Sequence, residues 1–231
     1  MDYVKMKKVQ QKLCPKFSYP TLRRNRKGLY SYGGHKLPSV TTILNATKDT
    51  SFLKTWIERV GVDQSEKIKN DSATVGNSLH KTCEFFLKNK MLHSPKNSLE
   101  SKGYEMGYKL INTFFKNINE VWGSEVSIYY PEIYAGTIDM VGVYDGEPTV
   151  IDFKQANKPN KEEWVDDYFH QLAAYAMAHD RLFKTEITTG RVLMAVQDGS
   201  IQEFVLKGSD LENYKLKFLQ RVKKAKETVD C

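Results

Sequence analysis

The chain has 231 residues, 40% of them hydrophobic, which is enough for one domain with a substantial core. Its formal net charge of +7 favours a polyanionic partner such as nucleic acid over a cationic one. No apolar run approaches the length of a membrane span, the N-terminus lacks the apolar stretch of a secretory signal, and three widely separated cysteines (Cys14, Cys83, Cys231) argue for a reducing compartment and against a disulfide framework.

Residues 1–38 read as a basic, irregular N-terminal segment, broken by Pro15, Pro20, Gly28 and Gly33-Gly34, with Tyr19, Tyr30 and Tyr32 as candidates for a short hairpin. Its composition also suits a mitochondrial targeting leader, but it lacks the amphipathic pattern. Residues 39–231 read as a single α/β domain. Helices are expected from residue 39, with Ser51 as an N-cap, Gly61 just past a C-terminus, and Asp63 with Glu66 as a capping box. The hydroxyls of Ser39, Thr41 and Thr42 can either donate to phosphate or serve as ordinary cap and turn groups.

Val75, Leu79, Phe86 and Leu87 follow a helical spacing that puts His80 and Glu84 one turn apart on a single face, with Glu84 as a partner for the histidine or the helix. Residues 99–122 are expected to form one long amphipathic helix. Its aromatics, including Tyr104, Tyr108, Phe115 and Trp122, are assigned to the core rather than to base stacking. Gly123 would end it, and residues 125–130 would form the first strand, carrying Glu125.

The segments 137–143 and 148–153 are rich in β-branched residues and flank Asp145-Gly146, a hairpin-turn dipeptide. Asp139 and Asp152 would then lie on neighbouring antiparallel strands. Strand side chains alternate, so Asp152 and Lys154 share one face and Ile151 and Phe153 the other. Two close carboxylates repel unless a cation holds them, and hard oxygen ligands suit Mg²⁺ or Mn²⁺. Metal-assisted phosphodiester hydrolysis is the chemistry that such a cluster serves. Residues 162–183 read as a helix with Trp164, Tyr168, Leu172 and Tyr175 toward one side and with Gln171 and Tyr175 four apart. A second hairpin around Asp198-Gly199 and a lysine-rich helix from Ser209 complete the chain.

The order Gly76-x-x-x-His80, Asp139, Asp152-Phe153-Lys154 and Gln171-x-x-x-Tyr175 resembles the PD-(D/E)xK nuclease superfamily, in its RecB-like exonuclease branch with mitochondrial and phage members. The resemblance implies a restriction-endonuclease-like core, an α/β fold with a mixed central β-sheet flanked by helices, under an N-terminal helical cover drawn from residues 39–90. It implies catalysis by Asp139, Asp152 and Lys154. Mg²⁺ or Mn²⁺ would be held by His80, Asp139, Asp152 and the backbone carbonyl of Phe153, with Glu125 as a further ligand, and the imidazole would tilt the site toward manganese. Gln171 and Tyr175 would bind the nucleic-acid backbone or brace the catalytic residues, and Ser39 and Thr41 would contact DNA. Three cysteines fall short of the four thiolates of an iron–sulfur cluster, so none is expected. The expected function is a metal-dependent DNA exonuclease acting on single-stranded DNA from free ends. The alternatives are an endonuclease of the same fold, or a non-catalytic single-strand-binding protein. DNA is the expected partner, with replication or recombination proteins and no membrane, for a monomer in the cytoplasm (the host's, if phage-encoded) rather than the mitochondrial matrix.

Overall fold

The computed structural model describes residues 12–13, 17–88 and 92–229. Its centre is a six-stranded mixed sheet in the order β1-β5-β6-β7-β8-β9, comprising β1 (Lys12–Leu13), β5 (Ile118–Tyr130), β6 (Tyr134–Tyr144), β7 (Glu147–Ala156), β8 (Thr189–Val196) and β9 (Ile201–Lys207). β5, β6 and β7 form an antiparallel meander. β7 and β8 are parallel, a pairing that needs a crossover, and helix α5 (Asp166–Phe183) supplies it. The turn between β6 and β7 follows from its dipeptide: Asp145 and Gly146 both adopt positive φ, 49° and 81°, as a two-residue hairpin turn requires.

Helices cover both faces. On one, α1 (Val40–Thr47), α5 and α6 (Ser209–Val229) pack over Val141, Val150, Val192 and Met194. On the other, α3 (Val62–Leu87) and α4 (Ser98–Phe114) pack over Met140, Ile151, Phe153 and Leu193. Gly103 and Gly107, one turn apart on α4, bring these two helices into close contact. A Cβ on Gly103 would stand 2.1 Å from the Val75 carbonyl, and one on Gly107 would stand 2.9 Å from Thr82 Cβ. That contact seats α3 and, with it, His80.

Several local expectations are corrected. The helix expected over residues 99–122 ends at Phe114. A 3-10 turn, Phe115–Asn117, follows, and β5 begins at Ile118, so Ile118 and Trp122 are strand residues and Gly123 lies within a strand. The apolar spacing suits a helix locally, but pairing with β6 decides the matter, at the cost of irregularities at 118–120 and 121–123. The stretch 23–38 is not irregular. β2 (Arg23–Arg24), β3 (Leu29–Tyr32) and β4 (His35–Pro38) make a small antiparallel sheet whose last turn uses Gly33 and Gly34 at positive φ. Tyr30 and Tyr32 lie on β3, while Tyr19 packs elsewhere, its hydroxyl 3.0 Å from His179 Nε2.

Helix α2 (Ser51–Val60) starts at Ser51 with Thr50 as N-cap, and Asp49 Oδ1 accepts the Ser51 N–H at 2.8 Å. Gly61 closes it at φ 89°, as expected, but α3 then opens without a side-chain cap from the Asp63–Glu66 pair. α2 buries none of its residues and leaves Phe52 and Leu53 exposed, so within 39–90 it is α1 and α3 that pack on the core. Trp164 belongs to a 3-10 turn, Glu162–Trp164, and is 58% exposed instead of facing the core with Leu172. Among the described residues, no helix is long and apolar enough to cross a membrane.

Candidate active site

Strand register gathers the acids. Ser124 pairs with Met140 and Val126 with Ile138, which sets Glu125 opposite Asp139; Met140 pairs with Ile151, and one further step sets Asp139 opposite Asp152. Three carboxylates thus stand side by side on β5, β6 and β7. Glu125 holds a positive φ of 49°, an uncommon and strained backbone for a glutamate. His80 reaches the row from α3, with its Nδ1 3.4 Å from both Glu125 Oε1 and Asp139 Oδ2.

Each acid has its own surroundings. Asp139 Oδ2 accepts the Phe153 N–H at 2.7 Å. Asp152, 1% exposed, accepts a hydrogen bond from Gln171 Nε2 at 2.8 Å on Oδ1, while Oδ2 forms an ion pair with the Lys154 ammonium. The alternation expected for Asp152 and Lys154 is therefore present. Lys154 Nζ also lies 5.0 Å from the Tyr168 ring centre.

The titration behaviour is that of a crowded anionic cluster. Burial raises the Asp152 carboxyl to about 6, with Asp139 adding to it against the pull of Lys154. Burial likewise raises Glu125, helped by the charges of Asp139 and Glu84 against the His80 contact. For Asp139, burial is outweighed by His80, Lys154 and the Phe153 N–H, which hold it below its ordinary value. Burial works against charge on His80 and on Lys154, yet the neighbouring carboxylates prevail and raise both, His80 to about 10.

The residues fit a hard divalent cation. An imidazole nitrogen and oxygens of Glu125 and Asp139 lie within 4.8 Å of one another. Asp152 adjoins this group, and added positive charge would relieve the strain on both raised carboxyls. The closest set is therefore His80, Glu125 and Asp139, with Glu125 more central than expected. Phe153 contributes its N–H to Asp139. Glu84 binds Lys88 at 2.7 Å rather than His80.

These groups and Thr137 line a cleft of ≈ 540 Å³ whose other wall holds Arg24, Tyr30, Ser39 and Thr41. Ser39 is the N-cap of α1, accepting the Thr42 N–H at 3.0 Å, so its cap role is present. Arg24 Nη2 donates to Ser39 Oγ and Thr41 Oγ1, both at 3.3 Å. Gln171 and Tyr175 reach the cleft from α5 but are 8% and 4% exposed, and the Gln171 amide is engaged by Asp152 and by Tyr175 Oη at 3.3 Å. Their place is behind the acids, bracing them. Gly136 makes room for the Tyr175 ring, since a Cβ there would meet ring carbon Cε1 at 2.6 Å. Sequence reasoning missed Arg24, Tyr30 and Thr137. Only Thr137 carried a signal, since it shares a strand face with Asp139 two residues on.

A family model described as the PD-(D/E)XK nuclease superfamily matches residues 52–230, most of the chain. The chain belongs to that superfamily. It is also similar to mitochondrial genome maintenance exonuclease 1 of Homo sapiens, at 26% identity over 181 residues that cover 71% of this chain and 50% of that protein. The same protein of Mus musculus matches at 29% identity, covering 72% of this chain and 52% of the relative, and that of Xenopus tropicalis at 29%, covering 71% and 50%. The chain spans about half the length of these curated relatives. As a member of the superfamily, it has its fold accounted for: a mixed sheet between helices, with a row of acids and a lysine on adjacent strands.

Proposed function

We propose that this chain is a metal-dependent exonuclease that hydrolyses single-stranded DNA from free ends. The observation that carries the reading is the row Glu125–Asp139–Asp152 across three paired strands, with His80 on one side and Lys154 on the other. His80, Glu125 and Asp139, with Asp152 alongside and the Phe153 carbonyl as a further donor, would hold Mg²⁺ or Mn²⁺. Such an ion, when bound, polarises a phosphate and lowers the pKa of water.

The chain's own groups do the rest. Lys154 stays protonated beside Asp152, so its ammonium is available to orient the attacking water and to offset charge that develops on the phosphate. Gln171 holds the Asp152 carboxylate in its rotamer, and Tyr175 supports Gln171. Across from the lysine, Arg24 and Thr41 present donors suited to a backbone phosphate, while Ser39, 2% exposed, holds the turn that positions them. The names of the relatives, genome maintenance exonucleases, favour DNA and roles in replication, recombination or repair.

The test is digestion of end-labelled linear and internally labelled circular single-stranded DNA with Mn²⁺, Mg²⁺ or EDTA. Linear strands should shorten from an end, circles should persist, and EDTA should stop the reaction. Cut circles would point to an endonuclease, and binding without cleavage under any metal would leave a nucleic-acid-binding protein.

A further inference from the structure

We propose that the row of rings Phe85, His93, Tyr104 and Tyr108 is a base-stacking track that carries single-stranded DNA out of the cleft across α3 and α4. The proposal rests on the exonuclease reading above and extends it to the length of strand engaged.

The row is continuous with the site. Phe85 lines the cleft, and Lys81, which also lines it, holds its Nζ 5.5 Å from the Phe85 ring centre. Phe85 and His93 meet edge to face at 6.1 Å, His93 and Tyr104 likewise at 5.6 Å, and Tyr104 and Tyr108 are parallel at 6.3 Å. At His93 the row borders a hollow of ≈ 210 Å³ that Lys96, Asn77 and Lys81 also line, the last two shared with the cleft. Glu100, which also borders it, is occupied with the Lys96 N–H at 2.9 Å. His93 is steadied by Thr82 Oγ1, 2.9 Å from its Nε2.

These rings are not the core of α4. Its buried face is Gly103, Met106, Gly107, Leu110 and Ile111, which leaves Tyr104 half-buried and Tyr108 38% exposed. That departs from the assignment of both tyrosines to the core. Lys81 at Phe85 and Lys96 beside His93 add cations to one end of the row, and rings with cations beside them are what unpaired nucleotides need, for the bases and for the backbone. The net charge of +7 has the complementary sign.

Binding is measured in EDTA, so that no strand is cut, by fluorescence anisotropy with three probes: a 20-nucleotide thymidylate strand, a 5-nucleotide one, and a 20-nucleotide strand without bases. The variants are Tyr108→Leu, at an exposed ring whose loss leaves the fold intact, and Tyr104→Leu/Tyr108→Leu. The double variant is expected to bind the 20-nucleotide strand roughly ten- to a hundredfold more weakly, with the single variant in between. The salt dependence should be unchanged, because no charge is removed, and the baseless strand should bind wild type and variants alike. Equal affinity of wild type and double variant for the thymidylate 20-mer, or an equal loss on the baseless strand, overturns the proposal. Cleavage by the unsubstituted chain with Mn²⁺ is scored in parallel. If cleavage is absent but the base-dependent loss is present, the catalytic reading fails and the track stands; cleavage without that loss sinks the track alone.

Discussion

His179 offers a quantitative test of the architecture behind the cleft. It is fully buried on α5, with Nδ1 2.7 Å from Thr185 Oγ1 and Nε2 3.0 Å from Tyr19 Oη, and its ring stacks on Trp122 at 5.9 Å between Phe17 and Phe183. Burial lowers its pKa from 6.5 to about 4. Between those values the unfolded chain binds a proton that the folded chain refuses. Stability is therefore full above pH 6.5 and falls as pH drops toward 4, by about 1.4 kcal/mol per unit. Between pH 8 and pH 5 the loss comes to about 2 kcal/mol.

The perturbation is His179→Gln, which keeps polar partners for Thr185 and Tyr19 but cannot titrate. Urea unfolding followed by circular dichroism at pH 8, 7, 6 and 5 should show the wild type's advantage over the variant shrinking by about 2 kcal/mol toward acid. His80 works in the opposite direction: its pKa is raised, so its contribution is complete below pH 6.5 and is lost as pH climbs toward 10. It is present in both proteins and cancels in the difference. Parallel stability curves for the two proteins would refute the claim that His179 is folded in its neutral form. The stake reaches the site, because this aromatic box anchors residues 17–19, which lead into the small sheet that carries Arg24 and Tyr30 to the cleft.

Three further outcomes are expected. Lys154→Ala should lower cleavage by roughly a hundredfold or more while binding of single-stranded DNA persists; it also leaves Asp152 buried without its ion pair, so thermal melting is run alongside, and retained cleavage in a folded preparation contradicts the assigned role. Gly136→Ala should cost roughly 1–3 kcal/mol of stability and reduce activity, because the new methyl meets the Tyr175 ring; an unchanged melting temperature would show that the ring is free to move. Metal affinity should climb steeply with pH, because His80 must lose its proton to bind a cation. Titration calorimetry with Mn²⁺ at pH 6.5 and 8 should differ by roughly thirtyfold, and a flat profile would mean that His80 does not ligate.

Much of the hairpin was legible because its signals are local. Asp145-Gly146 can form only a few turns, and strand alternation alone sets Asp152 and Lys154 on one face. Gln171 and Tyr175, four residues apart on a helix, were likewise bound to point together. The extent of β5 was not legible, because Ile118 and Trp122 fit a helical spacing as well as a strand, and only pairing with β6 decides between them. The small sheet before α1 was legible only as a candidate hairpin that includes Tyr30 and Tyr32; its third strand and its place depend on contacts with distant residues such as Ala135.

By itself the amino-acid order determined which side chains could serve the chemistry: an imidazole on a helix, acids and an amine on strands, and a glutamine to brace them. Tertiary structure alone decided which of them meet. Register across three strands moved Glu125 from the margin into contact with His80, glycine contacts between α3 and α4 fixed where that histidine arrives, and a separate sheet brought Arg24 to the opposite wall. Distances between segments so far apart in the chain depend on how whole layers pack, and no local pattern encodes that.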